Sequence, residues 1–199
     1  MKDIRICFFG ESFVNGTGDR THLGWTSRLC ANLSQQGYFI THYNLGIRRE
    51  TSDRLVQRWQ QECDRRFVAQ CDNRLVFSFG TNDTTLENGK TRVELSESLH
   101  NTRRILSIAQ QKYPVLMVSP PGVLDSSQNQ RIRHLSQQFA HLCQELGVPY
   151  LDIFTPLSNS ATWLLEVKAS DGAHPDTEGY AELAHLVQNW SAWQNWFEG

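Results

Sequence analysis

Short runs of apolar residues recur along the chain and predict five buried β-strands. They cover residues 4–9, 38–43, 75–79, 115–118 and 148–153. Several of these runs are apolar at consecutive positions, which is typical of strands covered on both faces of a parallel sheet.

Between these runs, apolar side chains return at steps of three and four residues, the period of an amphipathic helix. The clearest sets begin at Val56, Leu95 and Ile132, and a last helix is predicted from about residue 177 to residue 190. The expected helix ends are Thr51 and Ser127 as N-caps and Gly37 and Gly147 as C-terminal stops.

This alternation of strands and helices predicts an α/β protein with a three-layer α/β/α sandwich, because right-handed crossovers place helices on both faces of a parallel sheet. No repeat, low-complexity tract or linker interrupts it, so we expect one domain over residues 1–199. Ligands of open α/β sheets bind beyond the carboxyl ends of the strands. The residues that follow each strand are therefore the candidate site.

Polar residues and glycines gather at those strand ends. Ser12 follows the first strand in G-E-S-F, Gly46 follows the second in N-L-G-I-R-R, and Asn82 follows the third in G-T-N-D. The segment D-G-A-H-P, with Asp171 and His174, precedes the last helix. By itself Ser12 has three interpretations: a helix cap, a phosphate-binding hydroxyl or a nucleophile.

Acyl transfer needs a hydroxyl, a base, a group that orients the base, and donors for an oxyanion. Ser12 supplies the hydroxyl, and Asp171 lies three residues before His174 on a turn stiffened by proline. That spacing allows the carboxylate to hold one imidazole nitrogen while the other faces Ser12. The candidate oxyanion donors are the backbone N–H groups of Ser12 and Gly46 and the side-chain amide of Asn82.

These segments, in this order, resemble the four blocks of the SGNH hydrolases, also called the GDSL esterase/lipase family. The resemblance implies a flavodoxin-like, five-stranded parallel sheet in the order 2-1-3-4-5 and a serine esterase mechanism. It implies that Ser12 is the nucleophile, that His174 is the general base and then acid, and that Asp171 orients it. Ser12, Gly46 and Asn82 would form the oxyanion hole. The family usually has aspartate where this chain has Glu11, and we expect that change to be tolerated, with some effect on the turn.

Composition excludes several other classes of function. The net charge is −2, which argues against nucleic acid as a partner, and no apolar stretch is long enough for stable membrane insertion. The five cysteines are odd in number and form no C-x-x-C pair, which favours free thiols in the cytoplasm, as does the lack of an apolar leader. No metal-ligand spacing occurs, so we expect neither a metal nor a cofactor.

The favoured function is therefore hydrolysis of a small-molecule ester, with a short acyl group, through an acyl-enzyme. One alternative is a flavodoxin-like module that binds phosphate or flavin through Ser12 and residues 15–18. Another is a non-catalytic interaction module on the same fold. Arg48 and Arg49 are interpreted as solvated or salt-bridged, with recognition of an anionic substrate as the alternative. The sequence leaves the oligomeric state open.

Overall fold

The computed structural model describes residues 2–198. In chain order, its elements are β1 (Asp3–Gly10), α1 (Ser12–Asn15), α2 (Gly24–Gln35), β2 (Phe39–Gly46), α3 (Ser52–Asp64), β3 (Asp72–Ser78), β4 (Leu86–Glu87), β5 (Lys90–Thr91), α4 (Leu95–Ala109), β6 (Val115–Val118), α5 (Ser126–Leu146), β7 (Tyr150–Leu151), α6 (Phe154–Ser158), α7 (Ala161–Ala169), α8 (Thr177–Gln188) and α9 (Ser191–Gln194).

Five of the strands form one parallel sheet in the order β2-β1-β3-β6-β7. Because β4 and β5 form a separate hairpin, β6 and β7 are the fourth and fifth strands of this sheet. The predicted strand order 2-1-3-4-5 is therefore confirmed. The register places Gly10 beside both Gly46 and Ser78. The carboxyl ends of β2, β1 and β3 are therefore level, and the loops that follow them lie side by side.

Helices cover both faces of the sheet, which confirms the three-layer sandwich. Alternate residues of β1 point into two separate cores: Phe8 contributes to one and Phe9 to the other, and both are fully buried. Helices α2, α8 and α9 pack on the Phe8 side, with Trp193 of α9 buried there. Helices α3, α4 and α5 pack on the Phe9 side.

Helix ends agree with the sequence at three of the four predicted positions. Thr51 is the N-cap of α3, Gly147 ends α5 with a φ of 70°, and Gly37, with a φ of 92°, lies two residues beyond the end of α2. The prediction that Ser127 caps α5 is wrong. Asp125 caps that helix instead, because its carboxylate accepts the Gln128 N–H at 2.5 Å, and Ser127 already lies inside the helix.

Other boundaries also differ from prediction. Strand β2 extends to Gly46 instead of ending at residue 43, so Gly46 is its last residue, and β3 begins at Asp72 instead of residue 75. The last strand is only Tyr150–Leu151 instead of 148–153, because Ile153 already caps α6. The predicted helix 177–190 ends at Gln188, since the chain turns at Asn189 and Trp190 caps α9.

The β4–β5 hairpin has no counterpart among the predicted elements. Asn88 and Gly89 form its two-residue turn with φ angles of 53° and 78°, the left-handed pair that hairpins favour. The Asn-Gly dipeptide was its sequence signal. Directly after the hairpin comes Arg92, which lies at the candidate site.

All five cysteines are free, as predicted, and four of them are buried. Among the helices of residues 2–198, none combines the length and apolar character that a membrane crossing demands.

Candidate active site

Ser12, His174 and Asp171 form one hydrogen-bonded chain at the carboxyl end of the sheet. The Ser12 Oγ lies 2.7 Å from His174 Nε2, and His174 Nδ1 lies 2.7 Å from Asp171 Oδ2. A carboxylate accepts a hydrogen bond from Nδ1–H, which leaves Nε2 unprotonated as the acceptor for the serine hydroxyl. The arrangement can therefore draw the hydroxyl proton onto the imidazole.

The position of Ser12 depends on close packing at the end of β1. A Cβ atom on Gly10 would lie 1.9 Å from the Ser78 carbonyl oxygen, so only glycine allows β1 and β3 to stay paired there. Ser12 then begins α1 two residues later and is buried. Its hydroxyl reaches His174, which is separated from it by 162 positions in sequence.

The turn that carries His174 is organised by Asp171. Its Oδ1 accepts the backbone N–H groups of Ala173, at 3.0 Å, and His174, at 2.9 Å, while Oδ2 holds the imidazole. Burial raises the pKa of Asp171, but these three hydrogen bonds outweigh it and lower the pKa to about 2. Asp171 therefore carries its charge across the physiological range and keeps His174 in one tautomer.

An aromatic wall shields the imidazole. The ring of Phe13 lies 5.0 Å from the His174 ring and stacks on Trp163 at 6.2 Å, both measured between centroids. His174 is 9% exposed. A weakly hydrated base beside a buried hydroxyl is suited to proton transfer.

Glu11 lies under the site and holds the loop that follows β3. Its side chain is 1% exposed, and its two carboxyl oxygens accept the backbone N–H groups of Thr81, at 3.0 Å, and Asn82, at 2.9 Å. Burial raises the pKa of Glu11 to about 8, although these two hydrogen bonds oppose the change. Glu11 therefore positions Asn82 and takes no part in the Ser12–His174–Asp171 chain.

The Asn82 side chain presents an unused donor at the site. Its Nδ2 is buried, and no atom of residues 2–198 accepts a hydrogen bond from it. Its Oδ1 accepts from Arg92 Nη1 at 3.1 Å. Asn82 lines the same cavity as Ser12 and His174.

Gly46 lies beside the site, but it is not among the residues that line the cavity. Its N–H donates to Asn44 Oδ1 at 3.1 Å, and a Cβ atom there would lie 2.3 Å from the backbone nitrogen of Asn15. Close packing of β2 against α1 therefore accounts for this glycine. Its role as an oxyanion donor stays a prediction.

The cavity in front of Ser12 has a volume of about 440 Å³. Besides the residues already described, its lining includes Arg48, Arg49, Arg92, Asp125 and Gln128. Arg48 and Arg49 are exposed, and recognition of an anionic substrate by them stays a prediction.

Sequence reasoning did not identify Arg92, Asp125 or Gln128 as lining residues. The Gln128 amide donates to the Thr81 carbonyl oxygen at 3.1 Å and so ties α5 to the loop after β3. No local pattern signals that contact, since 47 positions separate the two residues.

The comparison with family models gives a match to the GDSL-like Lipase/Acylhydrolase family over residues 8–182. The chain therefore belongs to this family of acylhydrolases and esterases. A search of curated proteins found no match.

Several solved structures share the fold. A lipase/acylhydrolase from Enterococcus faecalis is 21% identical, with a TM-score of 0.76 and 94% of each chain covered. A catalytic mutant of an acetylxylan esterase from Geobacillus stearothermophilus is 15% identical, with a TM-score of 0.77 and coverage of 96% of this chain and 97% of the other. A member of the lipolytic G-D-S-L family from Veillonella parvula is 17% identical, with a TM-score of 0.73 and coverage of 92% and 96%.

Proposed function

We propose that this chain is a serine hydrolase that cleaves carboxylic esters with short acyl groups through an acyl-enzyme. The observation that carries the proposal is the chain of 2.7 Å contacts from Ser12 to His174 and from His174 to Asp171. Membership of an acylhydrolase family supports the reaction class.

In the first half of the reaction, the Ser12 hydroxyl gives its proton to His174 Nε2 while Oγ bonds to the ester carbonyl carbon. The carbonyl π electrons move to oxygen, and the negative charge of Asp171 stabilises the imidazolium. The tetrahedral intermediate then collapses. The bond to the alcohol oxygen breaks, and the alcohol leaves with the proton from Nε2.

In the second half, a water molecule follows the same route. It gives one proton to Nε2 as it bonds to the acyl carbon, and the proton returns to Ser12 Oγ as the carboxylic acid departs. The free Asn82 Nδ2 and the Ser12 N–H, at the start of α1 where helices leave N–H groups unpaired, are the favoured donors to the oxyanion. A side-chain donor of this kind lowers the barrier by about 2.7–4 kcal/mol.

The cavity lining favours a small, polar ester. Its apolar members are Phe13, Val123 and Ala173, a set that offers little surface to a long acyl chain. A more apolar cavity, of about 360 Å³ and lined by Val93 and Leu135 among others, includes neither Ser12 nor His174. We therefore expect the enzyme to remove acetyl and similar short acyl groups. This expectation agrees with the name of the structurally similar Geobacillus protein, an acetylxylan esterase.

The alternative of a phosphate or flavin module has less support. The Ser12 hydroxyl is already hydrogen-bonded to His174, and the Thr17 hydroxyl donates to Asn15 Oδ1 at 3.0 Å within the same turn. Neither hydroxyl is left to bind a phosphate. The cytoplasmic location inferred from the sequence is also a proposal, supported by the four buried free thiols.

The test is hydrolysis of p-nitrophenyl esters from acetate to laurate by the parent protein, Ser12→Ala and Ser34→Ala. Ser34 is an exposed residue of α2 and serves as the matched control. We expect Ser12→Ala to lower kcat by a factor of about 10³ or more, and Ser34→Ala to keep the parent rate. The rate of the parent should be highest on the shortest chains. Hydrolysis of these esters by Ser12→Ala at the rate of the parent protein would contradict the proposal.

A further inference from the structure

Arg92 lies beside Asn82 in the lining of the cavity and is held there by three hydrogen bonds. Its Nη1 donates to Asn82 Oδ1 at 3.1 Å, its Nε donates to Glu87 Oε1 at 2.7 Å, and its backbone N–H donates to the Thr85 carbonyl oxygen at 2.9 Å. The Arg92 side chain is 14% exposed. Its guanidinium is therefore fixed in place in the cavity wall.

The hydrogen bond between Arg92 and Asn82 determines which end of the amide is left without a partner at the site. A carboxamide carries an acceptor oxygen and a donor nitrogen, and rotation by half a turn exchanges them. A guanidinium has donors only, so it pairs with the oxygen and repels the NH₂ group. Asn82 Nδ2 is thereby directed away from Arg92 and is left without a partner among residues 2–198.

A buried N–H group without an acceptor costs about 1–3 kcal/mol, so this orientation needs a compensating gain. The arrangement provides one when the ester carbonyl oxygen becomes an oxyanion in the cavity and accepts this hydrogen bond. The positive charge that Arg92 places on the amide oxygen also polarises the amide, which strengthens Nδ2 as a donor.

We propose that Arg92 is a positioning residue that presents the Asn82 amide N–H to the oxyanion, with Glu87 fixing the guanidinium. The inference rests on the proposed function and adds a role for the β4–β5 hairpin. The Asn88-Gly89 turn of that hairpin reverses the chain, so an ion pair joins Glu87 of β4 to Arg92, the residue that follows β5.

The test is a double-mutant cycle on hydrolysis of p-nitrophenyl acetate, a neutral ester. It compares the parent, Arg92→Met, Asn82→Ala and the double variant. We expect Asn82→Ala to lower kcat by about 10²–10³. We expect Arg92→Met to lower kcat by about tenfold, with KM changed by less than about twofold, because the interaction grows in the transition state. In the Asn82→Ala background, Arg92→Met should have no further effect on kcat.

Two further variants separate positioning from folding. Arg103→Met breaks an exposed Arg–Glu ion pair between α4 and α5, away from the cavity, and should keep the parent kinetics. Arg92→Lys keeps one donor for Asn82 and should recover part of the lost kcat. If Arg92→Met does not fold, Arg92→Lys and Glu87→Gln serve in the same cycle.

The outcomes are distinguishable. The positioning role would be overturned if Arg92→Met lowered kcat by the same factor in the parent protein and in Asn82→Ala. It would also be overturned if a rise in KM accounted for the whole loss of kcat/KM in Arg92→Met. Loss of activity in Ser12→Ala and Asn82→Ala with no effect of Arg92→Met would overturn this inference and leave the proposed function intact. Retention of activity in Ser12→Ala would overturn both.

Discussion

The carboxyl group of Glu11 should make the stability of this protein fall as pH rises above about 5. Glu11 is buried under the active site, and burial raises its pKa from 4.5 to about 8. A group whose pKa is higher in the folded state stabilises the fold below its unfolded pKa, and that contribution is lost as pH rises through the folded pKa. The relevant window is therefore pH 4.5 to 8.

The size of the effect follows from this interval. At about 1.36 kcal/mol per pH unit, the free energy of unfolding should fall by roughly 3–4 kcal/mol between pH 5 and pH 8 from this group. Glu11→Gln removes the titration. It also leaves one of the Thr81 and Asn82 N–H groups without an acceptor, because the amide NH₂ cannot accept, at a cost of about 1–3 kcal/mol at every pH.

The two effects predict that the order of stability reverses. Glu11→Gln should be less stable than the parent at pH 5 and more stable at pH 8. Urea unfolding followed by fluorescence of the six tryptophans measures both free energies, and the difference between the two proteins cancels the titration of all other groups. Glu97→Gln, at an exposed position in the first turn of α4, controls for the loss of one negative charge.

A gap between parent and Glu11→Gln that stays constant from pH 5 to pH 8 would refute this reasoning. It would mean that the two backbone N–H groups keep Glu11 ionised throughout, and that hydrogen bonding, not burial, dominates its pKa.

Three other substitutions test separate parts of the structure. Gly46→Ala should destabilise the protein by about 1–3 kcal/mol or more in urea unfolding, because the added Cβ would lie 2.3 Å from the Asn15 nitrogen. A variant as stable as the parent protein would contradict the close packing of β2 and α1. Asp171→Asn should lower kcat by about 10³–10⁴ with little change in melting temperature, since the amide disturbs the His174 tautomer. Because the pKa of Asp171 is about 2, the pH–rate profile of the parent protein should show no step from this group above pH 4. Arg49→Gly should raise the free energy of unfolding by about 1 kcal/mol, because Arg49 has a left-handed φ of 64°. A lower melting temperature in the variant would show that contacts of the Arg49 side chain outweigh the backbone strain.

The central part of the site was predictable because it depends on topology. Alternating strands and helices imply a parallel sheet, and parallel strands bring their carboxyl ends to one edge. Ser12 and Asn82 follow adjacent strands, so their proximity follows from the strand order. His174 and Asp171 were predictable as a pair because only three positions separate them.

The features that sequence did not reveal depend on how loops fold back onto the sheet. Arg92 contacts Asn82 because a hairpin reverses the chain between them, and a turn signal indicates that hairpin but not the side chain that it brings near. The α5 cap depends on competition between nearby polar residues, in which Asp125 reaches the free N–H and Ser127 does not. The role of Glu11 depends on burial, which a carboxylate in a G-E-S-F segment does not suggest.

The nucleophilic role of Ser12 is tested most directly by covalent trapping. The parent protein, Ser12→Ala and His174→Ala are treated with a fluorophosphonate, and the site of the adduct is located by peptide mass spectrometry. We predict one adduct in the parent, on Ser12, slow labelling in His174→Ala, and none in Ser12→Ala. An unlabelled parent, or an adduct on another residue that persists in Ser12→Ala, would contradict the account.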